Sequence, residues 1–308
     1  MKASDYPEII ALYLENLASL GKSSHTLTSY RASLGKFSDF LRGIPGETEV
    51  DPDLIAEYRS QLRGGDLSAN TVRQHLTILH AFHAKIGAFS QLTGHTPTFN
   101  PVLRDEIPEE IIPTYDDALT ADEIEILLNT KPRRGKFAIR NYCIVALFIQ
   151  CGLRNSELRA LSPADLDFEN CTLSVKHGKG DKARQAPFPS IARQAVREYM
   201  KTGIRPADLP DTAPLFGSLE HAGEWGEYNI NSLNALVKRY TRKIIGREIH
   251  CHLLRHAAAS SWDAAGASLR DVQKALGHAN VRTTERIYIQ ILDKHKAAQN
   301  IARIFDGK

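Results

Sequence analysis

Cysteine is scarce in this chain, and its four cysteines, Cys143, Cys151, Cys171 and Cys251, form no CxxC pair. In 308 residues that excludes a disulfide framework and implies a reducing compartment, most simply a cytoplasm. Long apolar runs are missing too. The longest, Ile144 to Ile149, is far too short to cross a bilayer, so no membrane span is expected. The first residues, Met1 to Asp5, lack the basic start and apolar core of a secretion signal. No GxxxxGK[ST] loop is present to cradle a nucleotide, so neither a nucleotide nor any other cofactor is expected. Internal repeats and low-complexity stretches are likewise absent.

What remains has the composition of an ordinary globular protein, 42% hydrophobic and 24% charged. The length suffices for two domains, each with its own core. A net charge of +3 conceals an asymmetry. Residues 1 to 115 carry 10 Lys and Arg against 14 Asp and Glu, whereas residues 116 to 308 carry 29 against 22. The second half is therefore the better partner for a polyanion.

The first hundred residues read as four helices. Pro7 to Leu20 places Ile9, Ile10, Leu12, Tyr13, Leu14 and Leu17 at helical spacing. Ser24 can cap a second helix that ends near Arg42, ahead of Gly43 and Pro45. Pro52 suits the first turn of a third, which stops before Gly64 and Gly65, and Ser68 can cap a fourth through Val72, Leu76, Leu79, Phe82 and Ile86. Together they make a compact all-helical bundle over residues 1–92. Pro97, Pro101, Pro108 and Pro113 then mark a linker over 93–116. Thr120 with Glu123 has capping-box spacing, so a second domain spans 117–308. It reads as mostly helical with one small antiparallel sheet. Phe137 to Gln150 is a buried helix, and Cys171–Lys176 and Arg184–Phe188 are paired strands joined by the turn chemistry of His177 to Asp181. Helices follow near residues 190–202, 229–245, 252–266, 268–276, 281–290 and 293–304. The fold class is thus mainly α, with a mixed α/β second domain.

Four local patterns fall in order along this second domain. Cys151-Gly152-Leu153-Arg154-Asn155-Ser156-Glu157-Leu158 places an arginine after a buried helix at a glycine break. The hairpin turn carries Lys179. His252-Leu253-Leu254-Arg255-His256 sets His252 and Arg255 on one helical face. Leu276-Gly277-His278 is followed ten residues later by Tyr288.

In this order and at these separations the patterns resemble the tyrosine recombinase, or phage integrase, family, and nearly the whole chain is covered by the likeness. The layout is similar to the compact Xer-type members, because no additional arm-binding domain precedes the bundle. The resemblance implies a helical core-type DNA-binding domain followed by a catalytic domain. It also implies a catalytic set of Arg154, Lys179, His252, Arg255, His278 and Tyr288, and a 3′-phosphotyrosyl intermediate with a free 5′-hydroxyl. Double-stranded DNA with paired inverted sites is the implied partner. The implied assembly is a dimer on one site and a tetramer in synapsis, joined through a C-terminal helix at 293–304.

The chemistry accounts for these residue types. Attack on an anionic phosphodiester builds charge on its non-bridging oxygens, which two guanidinium forks can bind bidentately. A phenol whose ordinary pKa is near 10 needs help to lose its proton, and a departing 5′-oxygen needs to gain one. Blander readings stand beside these. Lys179 has Lys182 as a local competitor, and both could simply face DNA. Tyr288 could pack a helix as Tyr199 and Tyr240 do, and Glu157 reads as a support for Arg154. His250, Cys251, His252 and His256 invite a zinc reading, but their spacing matches no ordinary finger. Two rival activities share part of the pattern: relaxation of DNA by a type IB topoisomerase, and DNA-bound regulation without catalysis.

Overall fold

The computed structural model describes residues 1–86, 99–109, 118–176, 183–219 and 225–277. The chain divides into two compact units, Met1–Pro113 and Thr114–Lys308.

The first unit is built from α1 (Tyr6–Ser19), α2 (Ser24–Leu41), α3 (Pro52–Gly64) and α4 (Ala69–Ile86). The caps follow the sequence closely. Asp51 accepts a hydrogen bond from the Leu54 amide beside Pro52, and Ser68 accepts one from Thr71. One cap is displaced by a residue. Ser23, not Ser24, is extended and accepts from the Thr26 amide, so Ser24 is already helical. The apolar faces close over a core of interlocked rings, with Phe37 against Tyr6 and Tyr58 at 5.4 and 4.9 Å and Tyr13 against Phe82 at 5.2 Å.

Within this core lies a buried histidine. Nδ1 of His83 sits 2.8 Å from the Leu79 carbonyl and must carry the proton, so Nε2 accepts from the Tyr6 hydroxyl at 2.7 Å. Burial pushes His83 down to about 4 from the usual 6.5. The unfolded chain therefore takes up this proton first as pH falls. Stability contributed by the neutral imidazole is complete above pH 6.5 and is lost between there and pH 4, by roughly 3 kcal/mol in all. Amide exchange in α1 and α4 is expected to quicken on going from pH 7 to 4.5, after correction for intrinsic rates. His83→Gln should flatten that dependence; an unchanged slope would show that His83 is not its source.

The second unit begins with α5 (Ala121–Asn129), where the Thr120–Glu123 capping box forms as expected. Next comes α6 (Lys136–Cys151), buried without a break from Tyr142 to Ile149, and the short α7 (Asn155–Ala160). A three-stranded antiparallel sheet follows, in the order β1 (Leu166–Asp167), β2 (Thr172–Val175), β3 (Arg184–Pro187). Its register pairs Val175 with Arg184 and Leu173 with Ala186, which turns Leu173, Val175 and Ala186 into the core. The unit continues with α8 (Ser190–Met200) and a two-stranded ribbon of β4 (Gly217–Leu219) and β5 (Trp225–Glu227). It proceeds through α9 (Ile230–Ile245), α10 (Cys251–Ala264) and α11 (Leu269–Leu276). Strand β1 and the ribbon were not anticipated: each has only two or three residues, too few for a period-two pattern to show. The hairpin turn 177–181 and the helices expected at 281–290 and 293–304 lie outside the described residues. Among those described, no helix is long and apolar enough to cross a membrane.

A candidate phosphate-binding site

The site starts where α6 must stop. Gly152 adopts a left-handed φ of +61°, and a Cβ there would come within 2.7 Å of the Trp262 ring. Only glycine meets both demands. The chain then turns through buried Leu153 and delivers Arg154 as the N-cap of α7. Three residues on, the Glu157 carboxylate folds back to accept the Arg154 amide at 2.8 Å and a guanidinium N–H of the same residue at 2.5 Å.

Glu157 is completely buried and gathers two further arginines. Arg184, from the start of β3, donates to it at 2.7 Å. Arg255, from the second turn of α10, lies 3.5 Å away. The three guanidiniums also share the C-terminus of α11, where unpaired carbonyls leave partial negative charge. Arg184 donates to the Ala275 carbonyl, Arg255 to Leu276 at 2.6 Å, and Arg154 to Gly277 at 2.7 Å. Arg255 donates in addition to Gly152 at 2.5 Å, so one side chain fastens both glycine turns.

Charge in this cluster is unbalanced: three guanidiniums face one carboxylate. Burial alone would push the Glu157 carboxyl up, but Arg184, the Arg154 amide, Arg255 and Arg154 outweigh it and hold it below the ordinary range. Burial, then repulsion from Arg154, pushes Arg255 down to about 9, which still leaves it charged at neutral pH. Arg154 keeps 22% of its side-chain surface open, against 3% for Arg255 and 8% for Arg184. Arg154 is thus the most accessible of the three guanidiniums.

His252 stands one helical turn before Arg255. Crowding by surrounding atoms, then the charges of Arg255, His250 and Arg154, push it down to about 4. Although much of its surface is open to solvent, a shift in this direction leaves a neutral imidazole at pH 7, able to accept a proton. An arriving anion would raise its affinity for that proton. No group of three or more potential metal ligands gathers among the described residues. Cys251 is buried, and that burial pushes its thiol up to about 12.

Of the six residues expected from the sequence, the structure brings Arg154 and Arg255 together on Glu157 and sets His252 beside them. Lys179, His278 and Tyr288, with the competitor Lys182, lie outside the described residues. Arg184 belongs to the cluster and was not singled out. Its partners are 27 and 91 residues away in the chain, and no local spacing signals that.

The model of the phage integrase family matches residues 117–295, and that of the phage integrase N-terminal SAM-like domain matches residues 10–86. Tyrosine recombinase XerC of Thermodesulfovibrio yellowstonii is 31% identical over 284 residues, covering 89% of this chain and 88% of its own. XerC of Chromobacterium violaceum is 28% identical over 306 residues, covering 97% and 94%. Among solved structures, the XerH site-specific recombinase bound to a palindromic difH substrate superposes with a TM-score of 0.73 at 22% identity, covering 91% of this chain and 80% of that one. A lambda integrase dimer on a COC′ core site gives a TM-score of 0.68 at 17% identity, covering 91% and 94%. At these identities the two superpositions speak for the fold.

Proposed function

The chain belongs to the phage integrase family and is a tyrosine site-specific recombinase, and from that premise we propose how its own residues cut and rejoin DNA. Arg154 and Arg255 take the non-bridging oxygens of the scissile phosphate. The observation that carries this is the cationic excess around Glu157, with the guanidiniums anchored on the carbonyls of a helix end. Tyr288 supplies the attacking oxygen. As its bond to phosphorus forms, the bond from phosphorus to the 5′-oxygen breaks. The phenolic proton passes to His252, neutral in the free protein, and the departing oxygen takes a proton from Lys179. His278 adds a donor to the phosphate. The product is a 3′-phosphotyrosyl bond with a free 5′-hydroxyl, and the reverse steps reseal the strand.

The bond energy stays in the phosphotyrosine, so no nucleotide is consumed, and the guanidiniums supply the charge that metals provide elsewhere. We assign residues 1–92 to clasping DNA, 93–116 to a linker and 117–308 to catalysis. Recombining two duplexes takes four strand cuts with one nucleophile per protomer. Four copies therefore gather on paired inverted sites, joined through residues 293–304. The work is placed in the cytoplasm, at the nucleoid.

The reading is tested by selecting binding sites from a random duplex library and presenting one as a nicked suicide substrate. A covalent protein–DNA adduct is expected, at an unchanged rate in excess chelator. Loss of cleavage, as opposed to slower synapsis, on removing divalent ions would reject the mechanism. Efficient relaxation of supercoiled DNA lacking any selected site would instead indicate a topoisomerase.

A further inference from the structure

We propose that Arg184 is a positioning residue for strand cleavage: by neutralising the buried Glu157, it leaves Arg154 and Arg255 free to give their charge to the scissile phosphate. The inference rests on the phosphate-binding role given above to those two arginines.

Glu157 cannot be left unpaired, because its carboxylate is wholly out of water. It is needed to fix the turn at Arg154, whose amide it accepts at 2.8 Å. Unopposed, it would also cancel one of the two charges meant for the substrate. Arg184 meets that requirement from the side. Its guanidinium lies 2.7 Å from the Glu157 oxygen Oε2 that Arg255 approaches only to 3.5 Å, while Arg154 holds the other oxygen at 2.5 Å, and the other arm of Arg184 is committed to the Ala275 carbonyl. Its side chain is 8% exposed against 22% for Arg154, so it sits behind the face where an anion would arrive. The aliphatic stem fills the space over Gly277, where a Cβ would collide with it. Arg184 is therefore held in place whether or not DNA is present. With it the cluster is two charges positive; without it, one.

The experiment compares single-turnover cleavage of two nicked duplexes bearing a selected site. One has the natural scissile phosphate and the other a methylphosphonate, in which methyl replaces a charged oxygen. Arg184→Gln is expected to slow cleavage of the phosphate about a hundredfold, the scale on which one lost electrostatic stabiliser acts. On the methylphosphonate, which asks for less positive charge, the deficit should shrink to less than about tenfold, with site binding retained. Arg184→Lys keeps the charge and should cleave the phosphate within about tenfold of the parent. An equal deficit for Arg184→Gln on both substrates would mean that Arg184 serves the fold alone and would overturn the proposal. So would a folded Arg184→Lys protein disabled a hundredfold, which also decides the matter if the glutamine variant does not fold. Arg154→Ala separates this from failure of the underlying reading. If its deficit shrinks on the methylphosphonate and that of Arg184→Gln does not, only the role of Arg184 falls. If the parent forms no adduct on either substrate, the phosphate-binding reading falls with it.

Discussion

Replacing Tyr288 with phenylalanine is expected to abolish covalent adduct formation on a nicked substrate while site binding stays within about twofold, since one oxygen is lost and no charge changes. The arginine cluster that would grip the phosphate is assembled from the α6–α7 turn, β3, α10 and α11. The phosphate should therefore still be held with nothing to attack it. Water is a poor substitute, because in the proposed mechanism Tyr288 alone is the group held in line with the departing oxygen. The loss should reach at least roughly 10⁴-fold, the scale on which removal of a catalytic nucleophile is felt. Gel mobility would report binding, and denaturing electrophoresis of the suicide reaction would report the adduct. An adduct formed by the Tyr288→Phe protein would show that another residue attacks, and Tyr288 would then join Tyr199 and Tyr240 as packing.

Much of this molecule could be read from its residues because so many of its signals are local. Helix starts show in Pro52, at a first turn, in Ser68, and in Thr120 with Glu123; the Ser68 and Thr120 side chains accept amides three residues on. The buried α6 shows in an apolar run that leaves no polar face from Tyr142 to Ile149. Arg154 and Arg255 stood out for the same reason, one beside a glycine break and one a helical turn from a histidine. Signals that depend on distant pairing did not show. In the sequence Arg184 is only the first residue of the expected strand Arg184–Phe188; the fold sets it on Glu157 and Ala275. The imbalance of three guanidiniums around one carboxylate is likewise a property of three separate elements, α7, β3 and α10, brought together. Strand β1 and the β4–β5 ribbon are short and owe their form to neighbouring strands, so they leave no period to detect.

Arg255→Lys is the substitution expected to separate charge from shape. The parent side chain spans two turns, donating to Gly152 at 2.5 Å and to Leu276 at 2.6 Å from different arms of one rigid fork, while lying 3.5 Å from Glu157. A lysine ammonium retains the positive charge but is a single point on a flexible stem, and it cannot reach both carbonyls and the phosphate together. Cleavage should fall by about 10²- to 10³-fold, the usual consequence of losing one preorganised donor to a developing oxyanion. DNA affinity should change little, because most of it comes from phosphate contacts spread over the whole site. The fold should lose only about 1–3 kcal/mol, since one buried carbonyl is left unpaired while Glu157 keeps Arg184 and Arg154. The result that matters is the contrast with Arg184→Lys. The two arginines touch the same carboxylate and the same helix end, yet only Arg255 is assigned to the phosphate. Its lysine variant should be the far slower of the two, and equal rates for the pair would dissolve the division of labour drawn between them.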